Sequence, residues 1–167
     1  MTVSRAFVKE DDGEGSEQLS PRPISSIPNY VTREGYAALE AEVARLSEER
    51  RGLTKDRNDP KKSRKLKEVE RDFRYFKTRL ETAKVVDHSG SAPAEILFGA
   101  EIVVEEEPGK TRTLCIVGED EADPQQGKLC WASPLADTLL GAKAGETVVW
   151  KRPDGDRTLK IVSFQHC

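Results

Sequence analysis

Apolar residues recur along the middle of the chain at helical spacing. After Thr32 they fall at Tyr36, Leu39, Val43, Leu46 and Leu53, in steps of 3, 4, 3 and 7. A polar break follows, and the pattern resumes as Leu66, Val69, Phe73, Phe76, Leu80 and Ala83, in steps of 3, 4, 3, 4 and 3. Such alternation keeps one stripe of a helix apolar, as in the seam of a coiled coil. Arg50 occupies the seam position that the seven-residue step passes over. Thr32 is a good N-cap for the first helix. Asn58-Asp59-Pro60 divides the two, because proline pushes the residue before it out of the helical region. The pattern predicts two helices of about 22–24 residues in an antiparallel hairpin, about 33–36 Å long at 1.5 Å per residue.

From Ala94 the period changes. Ile96–Glu105 is rich in β-branched residues, Glu107-Pro108-Gly109-Lys110 is a turn, and Thr111–Val117 alternates. Gly127–Ser133 predicts a further short strand. Pro134 is placed to open a helix behind a Ser133 cap, running through Leu135, Leu139 and Leu140 to a stop at Gly141. Thr147–Lys151 and Thr158–Phe164 flank Pro153-Asp154-Gly155-Asp156, a hairpin signal. The prediction is an α+β chain: a helical hairpin followed by an antiparallel sheet domain of about five strands and one short helix. The boundaries fall at 1–29, 30–87 and 88–167. Residues 1–29 lack apolar periodicity and carry Pro21, Pro23 and Pro28, so they read as a disordered arm in which Phe7 and Val8 are stray hydrophobes.

Composition sharpens this division. Hydrophobic residues make up 36% of the chain and charged residues 34%, a balance that fits a modest core with an elongated part. The net charge of −3 hides a strong segregation. Residues 50–67 hold nine basic side chains (Arg50, Arg51, Lys55, Arg57, Lys61, Lys62, Arg64, Lys65 and Lys67) against Asp56 and Asp59. The turn end of the hairpin is therefore a basic tip. No apolar run reaches membrane-spanning length and no secretory signal precedes the first acids, which points to a cytoplasmic protein without membrane contact. Cys115, Cys130 and Cys167 have neither disulfide nor zinc spacing, and the first two read as small hydrophobes facing a sheet.

Catalytic parts are scarce. His88 and His166 have no nucleophile in a recognisable setting and read as solvated histidines. No phosphate-cradling glycine loop is present. The run Glu119-Asp120-Glu121-Ala122-Asp123 reads as a solvated loop or partner-facing patch. Asp56 and Asp59, three residues apart, could share a divalent cation if helical, although Asp59 reads more readily as a cap before Pro60. Neither a cofactor nor a resident metal is expected, and the chain does not read as an enzyme.

Several stretches together resemble the Gre family of bacterial transcript-cleavage and elongation factors, the GreB branch more than GreA. Tyr30-Val-Thr-Arg-Glu-Gly-Tyr36 is similar to the start of the family's first helix, and Phe73-Arg-Tyr-Phe76 with Lys84-Val-Val-Asp87 to the end of its second. Phe98-Gly-Ala100, Ile116-Val-Gly-Glu-Asp-Glu-Ala-Asp123, Ser133-Pro-Leu-Ala-Asp-Thr-Leu-Leu-Gly141 and Gly145-Glu-Thr-Val-Val149 follow in family order. The resemblance covers about residues 30–165.

It implies a coiled-coil finger inserted into the secondary channel of RNA polymerase and an FKBP-like domain docked at the channel entrance through Ser133, Pro134, Leu135 and Ala136. Asp137 stands where the family commonly has arginine. In the family, an Asp and a Glu at the tip help hold a second Mg²⁺ at the polymerase active centre, which then cuts backtracked RNA. Here the matching stretch reads Lys55-Asp-Arg-Asn-Asp-Pro-Lys61 where the family has Gly-Asp-x-x-Glu-Asn-Ala, and each arm is about one heptad shorter. That shortening retracts the tip by roughly 10 Å, too far for oxygen ligation at about 2.0–2.6 Å. The expectation is a monomeric regulator that binds RNA polymerase without full cleavage-stimulating chemistry, with Arg57, Lys61, Lys62, Arg64 and Lys65 as a basic tip able to meet nucleic acid. Three alternatives stay open. They are a true cleavage factor using Asp56 and Asp59, a direct nucleic-acid-binding module, and a peptidyl-prolyl isomerase built around Phe98, Trp131, Trp150 or Phe164.

Overall fold

The computed structural model describes residues 19–55, 59–88 and 90–166. A two-residue strand, β1 (Tyr30–Val31), leads into α1 (Arg33–Thr54), and α2 (Pro60–Thr82) returns to β2 (Lys84–Val85). Both helix starts are capped as their sequences require. The Thr32 hydroxyl accepts the Gly35 N–H at 3.0 Å, and the Asp59 carboxylate accepts the Lys61 N–H at 2.9 Å. Leu39, Leu46, Leu66 and Val69 are buried along the line where the helices meet. Tyr36, Val43, Phe73, Phe76 and Leu80 are only half-buried, because two helices share one seam and leave its flanks open. Arg50 closes part of that flank, its guanidinium 4.4 Å from the centre of the Phe73 ring. Helical side chains lean toward their own N-terminus, so in an antiparallel pair these two lean toward each other. Among the described residues no helix is long and apolar enough to cross a membrane.

The remaining strands are β3 (Ala100–Glu107), β4 (Lys110–Val117), β5 (Lys128–Cys130), β6 (Thr147–Trp150) and β7 (Arg157–His166), with α3 (Pro134–Leu139) between β5 and β6. Their order is β5-β4-β3-β7-β6. The sheet is mixed rather than antiparallel, because β5 pairs parallel to β4, Cys115 opposite Lys128 and Ile116 opposite Leu129. A parallel neighbour needs a return connection instead of a tight turn; two 3₁₀ turns, Glu119–Glu121 and Pro124–Gln126, supply it. The strand expected from Ile96 begins only at Ala100, since the Ile96 N–H and C=O bond Ala142 and Gly141 instead of a neighbouring strand. One face of the sheet (Ile102, Val104, Leu114, Ile116, Leu159 and Ile161) packs on Leu135, Ala136 and Leu139 of α3. A bulge in β7 sets Val103 opposite Ser163 but Val104 opposite Ile161. The extra residue, Val162, is exposed, and the bulge moves the inward positions from Leu159 and Ile161 to Phe164 and His166.

Residues 19–29, assigned above to a disordered arm, lie along α2. The buried Asn29 amide donates to the Arg79 carbonyl at 2.7 Å and to the Thr82 hydroxyl at 3.2 Å. Arg22 stacks over Tyr75 at 3.9 Å and faces the Asp72 carboxylate at the same distance. Phe7 and Val8 lie outside the described residues.

Helices and sheet are joined at the first 3₁₀ turn, the run read above as a solvated loop. Arg79, with 2% of its side chain exposed, donates Nε to Asp120 at 2.5 Å and directs Nη2 at Glu119 at 3.2 Å. The Tyr75 hydroxyl donates to the other Asp120 oxygen at 2.7 Å; burial and this carboxylate push the phenol pKa up to about 12. The Glu121 carboxylate accepts the Thr32 O–H at 2.6 Å, the Thr32 N–H at 3.1 Å and the Gly118 N–H at 3.2 Å. A negative group is favoured there by the α1 N-terminus. Gly35 makes room for it: a Cβ at that position would lie 1.8 Å from the Glu121 carboxylate. Tyr30 completes the joint with its ring against Trp131, centroids 5.1 Å apart.

Removing one partner of a buried ion pair costs about 3–5 kcal/mol. Arg79→Met is therefore expected to lower the urea unfolding free energy by about that amount, with Arg79→Lys intermediate because an ammonium lacks the guanidinium fork. A loss below about 1 kcal/mol for Arg79→Met would show that the joint does not hold the two parts together.

Candidate functional site

Two surfaces gather the residues that the sequence singled out, and the joint at Arg79 fixes one relative to the other. The first is the turn end of the helix pair. Lys61, Arg64 and Lys65 are exposed there, and Lys62 is half-buried. Arg51 pairs with Glu48 at 3.0 Å, Lys65 with Glu49 at 3.6 Å and Arg64 with Glu68 at 3.7 Å. Exposed pairs of this kind contribute at most about 1 kcal/mol each, so they arrange the side chains more than they stabilise the helices. Asp59 is exposed, with one oxygen engaged in capping α2. Asp56 and Arg57 lie outside the described residues. Among the described residues no three His, Cys, Asp or Glu side chains converge as a metal site.

The second surface is the start of α3. The Ser133 hydroxyl accepts the Ala136 N–H at 3.3 Å, as the cap reading requires. Pro134 and Asp137 are exposed, whereas Leu135 is 5% exposed and Ala136 fully buried. The four-residue docking stretch is thereby divided: Ser133 and Pro134 face outward, while Leu135 and Ala136 anchor the loop in the core and present no contact surface. Leu135, Ala136 and Leu139 form the stripe by which this six-residue helix packs on the sheet. A cleft of about 990 Å³ opens beside this loop, with Leu114, Leu129 and Trp150 in its lining. Of the four aromatic residues considered for an isomerase pocket, Trp150 alone lines it. Phe98 and Trp131 pack against Tyr30, and Phe164 against His166.

The histidines are not simply solvated. His166 Nε2 accepts the Leu97 N–H at 3.1 Å, and its ring lies 5.7 Å from that of His88, across the link between the helices and the sheet. Burial, and secondarily the His88 charge, hold the His166 pKa below its usual 6.5. Cys115 and Cys130 are half-exposed rather than buried. Cys115 alternates with the inward Leu114 and Ile116 on β4 and so takes the outer face. Cys167 lies outside the described residues. Arg79 and the acidic turn were missed as partners because a lone arginine on a helix and three acids in a loop read, taken separately, as solvated charge. Their one legible signal was that Arg79 directly precedes the seam residue Leu80.

A family model described as "Transcription elongation factor, GreA/GreB, C-term" matches residues 91–166. The chain is 33% identical over 153 residues to transcription elongation factor GreB of Neisseria meningitidis serogroup B, covering 83% of this chain and 94% of that one. It is 30% identical over 153 residues to transcription elongation factor GreA of Desulfovibrio desulfuricans, with 83% and 93% covered. A solved structure of the transcription elongation factor GreA/GreB from Nitrosomonas europaea aligns at 18% identity and a TM-score of 0.41, over 83% of this chain and 99% of that one.

Burying an unpaired carboxylate is strongly unfavourable, so Leu135→Asp is expected to abolish cooperative melting of the sheet. Pro134→Asp should leave the melting temperature within about 2 °C; circular dichroism melts of the two variants check the division of the loop. The histidine gives a pH dependence. His166 in the fold resists the proton that the unfolded chain takes up near pH 6.5, so its contribution is fully present above 6.5 and is lost as the pH falls from there toward the lowered folded value. The melting temperature should drop over that interval, and His166→Gln, which keeps an acceptor for Leu97 but does not titrate, should flatten the drop.

Proposed function

The chain belongs to the GreA/GreB family of transcription elongation factors, and from that premise we propose that it regulates elongation by binding RNA polymerase. In this reading the helix pair is a coiled-coil finger that enters the secondary channel, and the sheet domain, FKBP-like in plan, docks at the channel entrance through Ser133 and Pro134. The chain acts on the polymerase and performs no chemistry of its own. What supports the division of labour is the buried Arg79–Asp120 pair, which gives finger and docking loop one fixed relation. A rigid two-point ligand loses less freedom on binding than two independent ones.

Cleavage stimulation is not part of the proposal. Asp59 already caps α2, and α2, at 23 residues, is about 34 Å long by its rise per residue, short for the reach that metal ligation at the polymerase centre demands. Nine basic residues within 50–67 repel Mg²⁺ and favour phosphates or acidic protein groups, and this favours a tip that meets nucleic acid or the channel wall.

The experiment is a pull-down with core polymerase followed by transcript cleavage in backtracked complexes. Polymerase binding is expected, weakened at least tenfold by Pro134→Asp if the loop residue is an interface anchor. Cleavage should not rise above that of polymerase alone, and Asp56→Asn with Asp59→Asn, which preserves the cap, should alter nothing. Strong cleavage by the wild type that disappears in the double variant would restore the cleavage-factor reading, and no binding at all would overturn the proposal.

A further inference from the structure

Residues 19–29 form a strap that leaves a groove beside α2. Pro21, Pro23 and Pro28 fix their own φ angles and keep the strap extended, and Asn29 anchors its end at Arg79 and Thr82. The groove has a volume of about 500 Å³, within the range of small-ligand sites. Its two walls differ in kind. Leu19, Pro21 and Ile24 line it from the strap, whereas Arg71, Arg74 and Tyr75 line it from the helix. Ile24 is 48% exposed, an apolar side chain that the rest of the chain leaves half uncovered.

Positions 71, 74, 75 and 78 follow in steps of 3, 1 and 3, so they share one face of α2. Arg22 is already engaged there: its guanidinium lies 3.9 Å from the centre of the Tyr75 ring, 5.1 Å from that of Phe76 and 3.9 Å from the Asp72 carboxylate. Arg71 directs Nε and Nη2 at the same Asp72 oxygen, at 3.0 and 2.9 Å. Arg74 is exposed and forms no ion pair among the described residues, although Glu70 stands one turn before it. Residues 67–78 and Arg22 together hold five basic side chains against three acidic ones, an excess of two positive charges. An open apolar wall thus faces an uncompensated cationic one across a gap of small-molecule size.

We propose that this groove binds a small organic phosphate of the nucleotide type, its phosphate held by Arg71 and Arg74 and its planar body laid against Leu19, Pro21 and Ile24. Charge selects the head group. A phosphate monoester carries nearly two negative charges at pH 7, which matches the excess, and its oxygens accept the paired N–H groups of a guanidinium fork. A carboxylate supplies half that charge. Size selects against a protein, since nine lining residues are well short of the roughly 20–30 a side that a stable protein interface uses. Both walls are set in advance, one by a helix and one by prolines, so little freedom is lost on binding. The groove is separate from the basic tip and from the loop at Ser133, and the proposal does not rest on the polymerase reading.

The test titrates the full chain with AMP and follows ¹H–¹⁵N spectra at low salt. The Ile24, Arg71 and Arg74 amide resonances should shift with a dissociation constant below about 1 mM, the range that two charge-assisted contacts and a partly covered base reach. Arg74→Gln should weaken binding about tenfold, Arg74→Lys less, and Ile24→Ser about threefold. All three replace exposed side chains, and unchanged melting temperatures check that the fold is kept. Cyclic AMP, which has the same base and a single charge, should bind about tenfold more weakly than AMP, and adenosine should not bind measurably. Equal affinity for AMP and adenosine would overturn the proposal, as would AMP binding that Arg74→Gln leaves unchanged or no binding at all. Shifts confined to Lys61, Arg64 and Lys65 would overturn it too, by assigning the phosphate to the tip. No polymerase is present, so a failure of this site is separable from a failure of the polymerase reading.

Discussion

Arg79 is the constraint on which the arrangement of this molecule depends. A guanidinium with 2% of its side chain exposed is tolerated only if its charge is met inside the protein, and Asp120 and Glu119 meet it from the opposite side of the joint. Tyr75 completes the second oxygen of Asp120, Asn29 takes up the Arg79 carbonyl, and Glu121 serves the start of α1. Every chain segment that converges there supplies a group that another segment needs. Helix pair and sheet are therefore coupled through desolvated charge, which tolerates misorientation less well than an apolar interface of the same area.

This coupling has a functional side. In the proposed role as a finger, a helix pair about 34 Å long would convert a small change of angle at its base into a large displacement at its tip, so that role depends on a stiff base. The 3₁₀ turn provides stiffness in little space, with two of its three consecutive acids meeting Arg79 and the third meeting Thr32. The cap of α1 is part of the same device, because Thr32 accepts the Gly35 N–H while its own hydroxyl donates to Glu121. Helix initiation and domain docking are thus one hydrogen-bonded chain. Gly35 is the steric condition for it.

Charge is segregated along the molecule in a way that matches this geometry. The acids of the sheet domain that matter structurally are neutralised at the joint, whereas the cations of the hairpin accumulate at its far end, where only exposed pairs temper them. Buried charge orients and exposed charge attracts. The strap from Leu19 to Asn29 runs from the joint along the basal half of α2, with Arg22 bridging aromatic rings and a carboxylate on the way.

The sequence by itself determined what local interactions decide. Helix spacing, the caps at Thr32, Asp59 and Ser133, the turn at Gly109 and the stop at Gly141 were all legible, because a cap bonds within three residues of itself and a seam repeats within a turn or two. Only the tertiary structure decided the features that depend on distant partners. The acids at 119–121 became a joint because an arginine forty residues earlier faces them. His166 became a hydrogen-bond acceptor because β7 delivers it to Leu97, across a bulge that no alternation pattern announces. Leu135 and Ala136 turned inward because α3 packs on one face of the sheet, and β5 ran parallel to β4 because two 3₁₀ turns carry the chain back along it. Local chemistry selects an element and its ends; which surface of that element is buried, and which charge is paired, is set by what the rest of the chain brings against it.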